Sequence, residues 1–174
     1  MTPKTLALAG ALILATAGAA AAHITLETGE APAGGAYKAV LRVGHGCEGK
    51  ATTAVRVQIP DGVIDAKPMP KPGWTLETTT GAYAEPVELW GETLTEGVRE
   101  IAWSGGELPD DWYDEFTFRA RLTDGLAGQT VYFPVVQECG ETVTRWIGIP
   151  AEGQDAEDIE EPAPSLNVTT AVTQ

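Results

Sequence analysis

The sequence predicts an all-β fold, an antiparallel sandwich or barrel. Three observations carry that expectation. Apolar and polar residues alternate along several short runs, clusters of turn-forming residues separate those runs, and no stretch sustains a 3.6-residue apolar period.

The runs follow in order. Tyr37, Ala39, Leu41 and Val43 alternate with Lys38, Val40 and Arg42. Val55, Val57 and Ile59 alternate with Arg56 and Gln58, and Glu100-Ile101-Ala102-Trp103 continues the pattern. Phe116, Phe118, Ala120 and Leu122 are set against Thr117, Arg119 and Arg121. Each run offers one apolar face to a core and one polar face to water, as a half-buried antiparallel strand requires. Val131 to Val136 and Trp146-Ile147-Gly148-Ile149 are short apolar runs expected to be more buried, with Pro134 marking an edge or a bulge. Turns are expected at Ala31 to Gly35, Pro60-Asp61-Gly62, Ser104-Gly105-Gly106 and Thr123-Asp124-Gly125. Pro68, Pro70 and Pro72 make Lys67 to Gly73 an extended loop.

Both ends of the chain read differently. Lys4, the apolar stretch Leu6 to Thr16 and the small residues before His23 have the layout of a secretory signal peptide over residues 1–22. Ala20 and Ala22 fit the small-x-small cleavage rule, and so do Ala19 and Ala21. Residues 23–150 are then the β-domain. Residues 151–174 are an acidic linker (Glu152, Asp155, Glu157, Asp158, Glu160, Glu161) and a tail, in which Pro162 to Val168 is expected to dock as a last edge strand. The leader's apolar stretch is too short for a comfortable membrane span, and no other segment approaches spanning length. Localisation is therefore expected to be periplasmic or extracytoplasmic.

Net charge is -14, and Lys4 is the leader's single charge, which leaves -15 on the exported part. Such a chain repels nucleic acid and anionic lipid at long range. Two cysteines, Cys47 and Cys139, lie in the exported part. An even count in an exported chain favours a disulfide over the alternative, a pair of thiolate metal ligands. The loop so closed, about ninety residues, is worth roughly 4–5 kcal/mol in the chain-entropy model before strain is subtracted.

A cut after Ala22 makes His23 the first residue of the mature protein. Its free α-amine and its ring Nδ1 can then close on one metal ion as a six-membered chelate. Two nitrogens from one residue favour a tetragonal site, which suits Cu(II) best among the common divalent ions. A cut after Ala21 would remove that chelate, and most histidines near a cleavage site are ordinary surface residues. The second histidine, His45, lies in Gly44-His45-Gly46-Cys47, where it is either a loop residue beside a disulfide or a further nitrogen donor. Nucleophile elbows, His-Glu-x-x-His helices and phosphate-binding glycine loops are missing from the sequence. Five tryptophans are most simply core or rim packing.

Seven segments together resemble the YcnI-like family of exported bacterial copper-binding proteins. They are His23-Ile-Thr-Leu, Val55-Arg-Val-Gln-Ile-Pro60, Pro70-Lys71-Pro72-Gly73-Trp74, Ile101-Ala102-Trp103, Asp114-Glu115-Phe116-Thr117-Phe118, Arg145-Trp146, and Pro162-Ala163-Pro164-Ser165-Leu166. Each is weak alone; their order gives the match its specificity. The resemblance implies a sandwich of cupredoxin-like or immunoglobulin-like character. It implies one Cu(II) ion held by the amine and ring of His23, with Trp146 close by and an acidic ligand for which Glu138 and Glu141 are the candidates. His45 and the cysteine pair depart from the simplest family members, so His45 is a possible added ligand. The implied role is copper storage, buffering or delivery, not catalysis, with a copper chaperone or copper-import membrane protein as partner. The alternatives are a copper mono-oxygenase and an exported structural β-domain without metal.

Overall fold

In the computed structural model the alternating runs do form strands, and their inward residues meet in one core. The structure describes residues 23–155 and 158–170. The expected leader over 1–22, Glu157 and the last four residues lie outside them. In chain order the strands are β1 (Thr25–Leu26), β2 (Glu30–Pro32), β3 (Ala36–Val43), β4 (Thr52–Gln58), β5 (Val63–Pro68), β6 (Thr75–Leu89), β7 (Glu92–Leu108), β8 (Asp114–Leu122), β9 (Thr130–Tyr132), β10 (Val135–Cys139), β11 (Thr142–Trp146) and β12 (Ser165–Thr169). A 3-10 turn, Asp124–Leu126, follows β8.

Three sheets result. One has the order β1-β3-β8-β5, the second β11-β10-β4-β7-β6, and the third β2-β12-β9. The first two supply the facing layers of a sandwich. Ala39, Leu41, Phe116 and Phe118 of one sheet share a core with Val55, Val57, Ile101, Trp103 and Val135 of the other. Every pairing in the first two sheets is antiparallel; in the third, β12 pairs β2 in parallel and β9 antiparallel. Among the described residues no helix is long and apolar enough to cross a membrane.

Several expectations need correction. Pro134 does not sit inside one strand. It separates β9 from β10, so the chain changes sheet at the residue that cannot donate to a ladder. Trp146 ends β11, and Ile147 and Ile149 beyond it are exposed rather than buried. Lys67 and Pro68 belong to β5, so the proline-rich loop starts later than expected. Val40 is paired with Thr117, and both are buried on the face expected to meet water. Ser165–Thr169 does dock, but between β2 and β9 rather than at a sheet edge.

The long strand β6 has no counterpart in the sequence reading. Paired with β7, it outruns β4, whose register stops at Gln58 opposite Glu100. The remainder is a two-stranded ribbon. Its tip is a two-residue turn, Trp90-Gly91, with both residues at positive φ, the twist a tight hairpin favours. The ribbon returns to the body, where the backbone N–H of Asp65 donates to Tyr83 Oη (3.2 Å) and the Arg121 guanidinium lies over the Trp90 ring.

Candidate metal centre

β1 fixes the position of His23. Ile24 and Leu26 are buried, and Thr25 and Leu26 pair with Arg42 and Leu41 of β3. Residue 23 is thereby held where the first sheet begins. Its side chain is half-buried and lines an open groove of about 360 Å³ with Thr25 and Pro162 to Ser165.

Trp146 approaches from the other sheet. It pairs with Val135 at the end of β11, on the inward side, and is 6% exposed. The ring centres of His23 and Trp146 are 5.6 Å apart, edge-on at 61°. His45 also faces this indole, at 6.4 Å and 75°. The two histidines of the chain thus converge on one tryptophan.

The loop carrying His45 is tightly specified. Gly46 donates its N–H to Asp110 Oδ1 at 2.9 Å. A Cβ on Gly46 would fall 1.8 Å from the Lys50 carbonyl oxygen, so only glycine fits there. Cys47 and Lys50 exchange backbone hydrogen bonds of 3.1 and 3.0 Å. Cys47 is joined to Cys139 by a disulfide, with S–S 2.03 Å and Cα–Cα 5.7 Å, so the thiolate-ligand alternative falls away.

Gln137 connects these parts. It is 1% exposed, on the inward face of β10. The Trp146 indole N–H donates to its Oε1 at 2.9 Å, and its Nε2 donates to the His45 carbonyl at 2.8 Å and to Thr52 Oγ1 at 2.7 Å.

The two candidate acidic ligands are not brought to this cluster. Glu138 lies on the opposite face of β10 from Gln137 and Cys139, where it pairs with Arg56 at 2.8 Å. Glu141 is exposed in the two-residue turn joining β10 to β11. From that turn β11 rises roughly 13 Å before reaching Trp146. Both carboxylates stand apart from the cluster for the same reason: nearness in sequence to a strand does not set the face or the end of it.

Two contributors were missed in the sequence. Gln137 had a legible signal, a polar residue at an inward position between Val135 and Cys139. Asp110, which anchors the His45 loop from 64 residues away, had none. Among the described residues no group of three or more His, Cys, Asp or Glu side chains is gathered to hold a metal ion. Side chains here offer imidazole nitrogens around an indole; the amine of residue 23 would have to supply a further donor.

Comparison with known proteins gives a family and a fold. The family model described as "Domain of unknown function (DUF1775)" matches residues 23–168. No curated protein matches the chain. A solved structure described as "Crystal structure of an uncharacterized protein from Nocardia farcinica reveals an immunoglobulin-like fold" is similar, with 27% identity and a TM-score of 0.63. The similarity covers 85% of this chain and 99% of that one. The immunoglobulin-like member of the two expected sandwich types is therefore the one supported.

Proposed function

The chain belongs to the DUF1775 family, and from that premise we propose that it is an exported Cu(II)-binding protein which stores, buffers or hands on copper. The ion is held by the α-amine and ring of His23 once the leader is removed. The observation that carries this reading is the edge-on approach of His23 to the buried Trp146, 5.6 Å between ring centres. A histidine at the start of the domain would be free to move. Here the buried Ile24 and the two-residue strand after it, with Leu26 buried, hold it beside an aromatic wall.

The donor chemistry suits the ion. Imidazole and amine nitrogens are borderline donors that Cu(II) binds more tightly than other divalent first-row metals. The acidic surface favours cation approach without specifying a site. A partner that delivers or receives copper would meet the open groove at His23.

One observation favours a second reading, a copper mono-oxygenase. His45 faces the same indole as His23, and a second imidazole is what oxygen-activating sites of this kind use. Against it, the two exposed tryptophans, Trp90 and Trp112, stand on separate elements, a ribbon tip and a loop, and make no shared flat binding face.

Native mass spectrometry of protein recovered from the exporting cell tests the proposal. A first residue of His23 with one copper ion per chain is the expected result. A different first residue, or the correct one with no copper after equilibration with Cu(II), would overturn it.

A further inference from the structure

Beside the histidines lies a buried amide that the copper reading does not use, although it touches both halves of the site. We infer that Gln137 is a positioning residue that couples Trp146 to the His45 loop and so sets the orientation of the indole beside His23. The metal half of this inference rests on the copper reading; the positional half does not.

The hydrogen bonds determine the orientation of the amide. An indole N–H can only donate and a peptide carbonyl can only accept. Gln137 Oε1 must therefore face Trp146, and Nε2 must face the His45 carbonyl. The second Nε2 hydrogen goes to Thr52 Oγ1. Turning the amide over would set N–H against N–H at Trp146 and oxygen against oxygen at His45. The side chain thus has one stable setting.

The surroundings make that setting costly to lose. Val135 and Cys139, on either side of Gln137 along the inward face of β10, are both fully buried. A polar group in such a place costs stability unless it is hydrogen-bonded. The same holds for the Trp146 N–H. Without Gln137 the indole would gain by rotating toward water, away from the geometry it has now. The Cys47–Cys139 disulfide adds a second tie between the same two segments, since Cys47 follows His45 by two residues and Cys139 follows Gln137 by two. With the loop so held, the His45 carbonyl is a fixed acceptor for the amide.

The test uses the processed protein, labelled with 15N, and its tryptophan indole resonances. Trp146 is assigned by its loss in Trp146→Phe. Gln137→Met nearly conserves volume and removes all three hydrogen bonds. In the metal-free variant the Trp146 indole resonance should shift, and its solvent exchange should accelerate about tenfold, the scale of one lost buried hydrogen bond. The other four indole resonances should hold. Titration with CuSO4 against a chelator should then show affinity reduced by about tenfold. An unmoved Trp146 resonance with unchanged exchange would overturn the inference and leave the copper reading standing. A shifted resonance with unaltered copper affinity would overturn the metal half. Wild-type protein that binds no copper would fail the copper reading, while the metal-free measurements would still judge Gln137. If Gln137→Met does not fold, exchange of the Trp146 indole N–H in the wild type decides. Strong protection is expected, and exchange as fast as free indole would overturn the inference.

Discussion

The imidazole of His23 stands edge-on to the indole of Trp146, with 5.6 Å between ring centres, although 123 positions separate them in the chain. Two sheets meet to make this contact: β1 brings one ring and β11 the other. Cu(II) is paramagnetic, so an ion on His23 should quench this indole. Trp146→Phe should remove most of the copper-dependent loss of fluorescence. Trp74→Phe should not, because Trp74 packs against Phe116 at the margin of the core, 4.9 Å away between ring centres. Full quenching in the Trp146 variant would move the metal elsewhere. The same substitution leaves Gln137 Oε1 without its donor, which should lower stability by about 1–3 kcal/mol in a urea titration.

Glu138 and Glu141 should be dispensable for copper. Glu138→Gln loses an ion pair with Arg56 on the outer face, and Glu141→Gln changes an exposed turn. Chelator competition should give affinities within about twofold of wild type for both, as expected of surface changes remote from a site. A tenfold loss in either would restore that carboxylate as a ligand.

The Cys47–Cys139 disulfide closes a loop across 92 positions. Thiol labelling of the native protein should find no free cysteine. Replacing both cysteines by serine should lower stability by several kcal/mol, with roughly 4–5 as the entropic scale for so long a loop. It should also loosen the His45 loop, read as faster amide exchange at Gly46 and Cys47. Unchanged exchange there would mean that Asp110 and Gln137 hold the loop unaided.

Tyr37 supplies a pH test of the fold. It is buried and donates its hydroxyl to the Thr28 carbonyl at 2.7 Å. Burial, with Glu27 nearby, pushes its pKa from 10.0 up to about 12. Because the folded value lies above the unfolded one, its contribution is complete below about pH 10. It is lost as pH climbs toward 12. The pKa of Tyr113 is also raised, first by its hydrogen bond to Glu115, but Tyr37→Phe should remove the step near pH 12 from an ultraviolet titration while costing about 1 kcal/mol at neutral pH. Ordinary ionisation of all tyrosines near pH 10 would contradict the burial argument.

What could be read from the sequence follows from what each element buries. β3, β4 and β8 alternate because one face of each meets the core, and their inward residues were legible as such. β6 was not: none of its residues is buried, so a ribbon wet on both faces leaves no alternation to read. Ile147 and Ile149 misled because apolar character alone does not show that a strand has ended. The disulfide was legible from an even cysteine count in a chain whose start reads as an export signal. Trp146 was placed beside His23 by resemblance alone, and no periodicity pointed to it. Glu138 lies one position from the inward Gln137 and so on the opposite face of β10, a consequence of strand register that nearness in sequence does not reveal.

The most direct measurement compares Cu(II) affinity in two chains that differ only at the start, one beginning at His23 and one retaining Ala22. A chelate through the His23 amine predicts that the first binds at least about a hundredfold more tightly, since the second has lost that amine; two decades correspond to about 2.8 kcal/mol. The advantage should shrink as pH falls, because protons compete for a free α-amine that ordinarily titrates near about 8. Equal affinity for the two chains would contradict it.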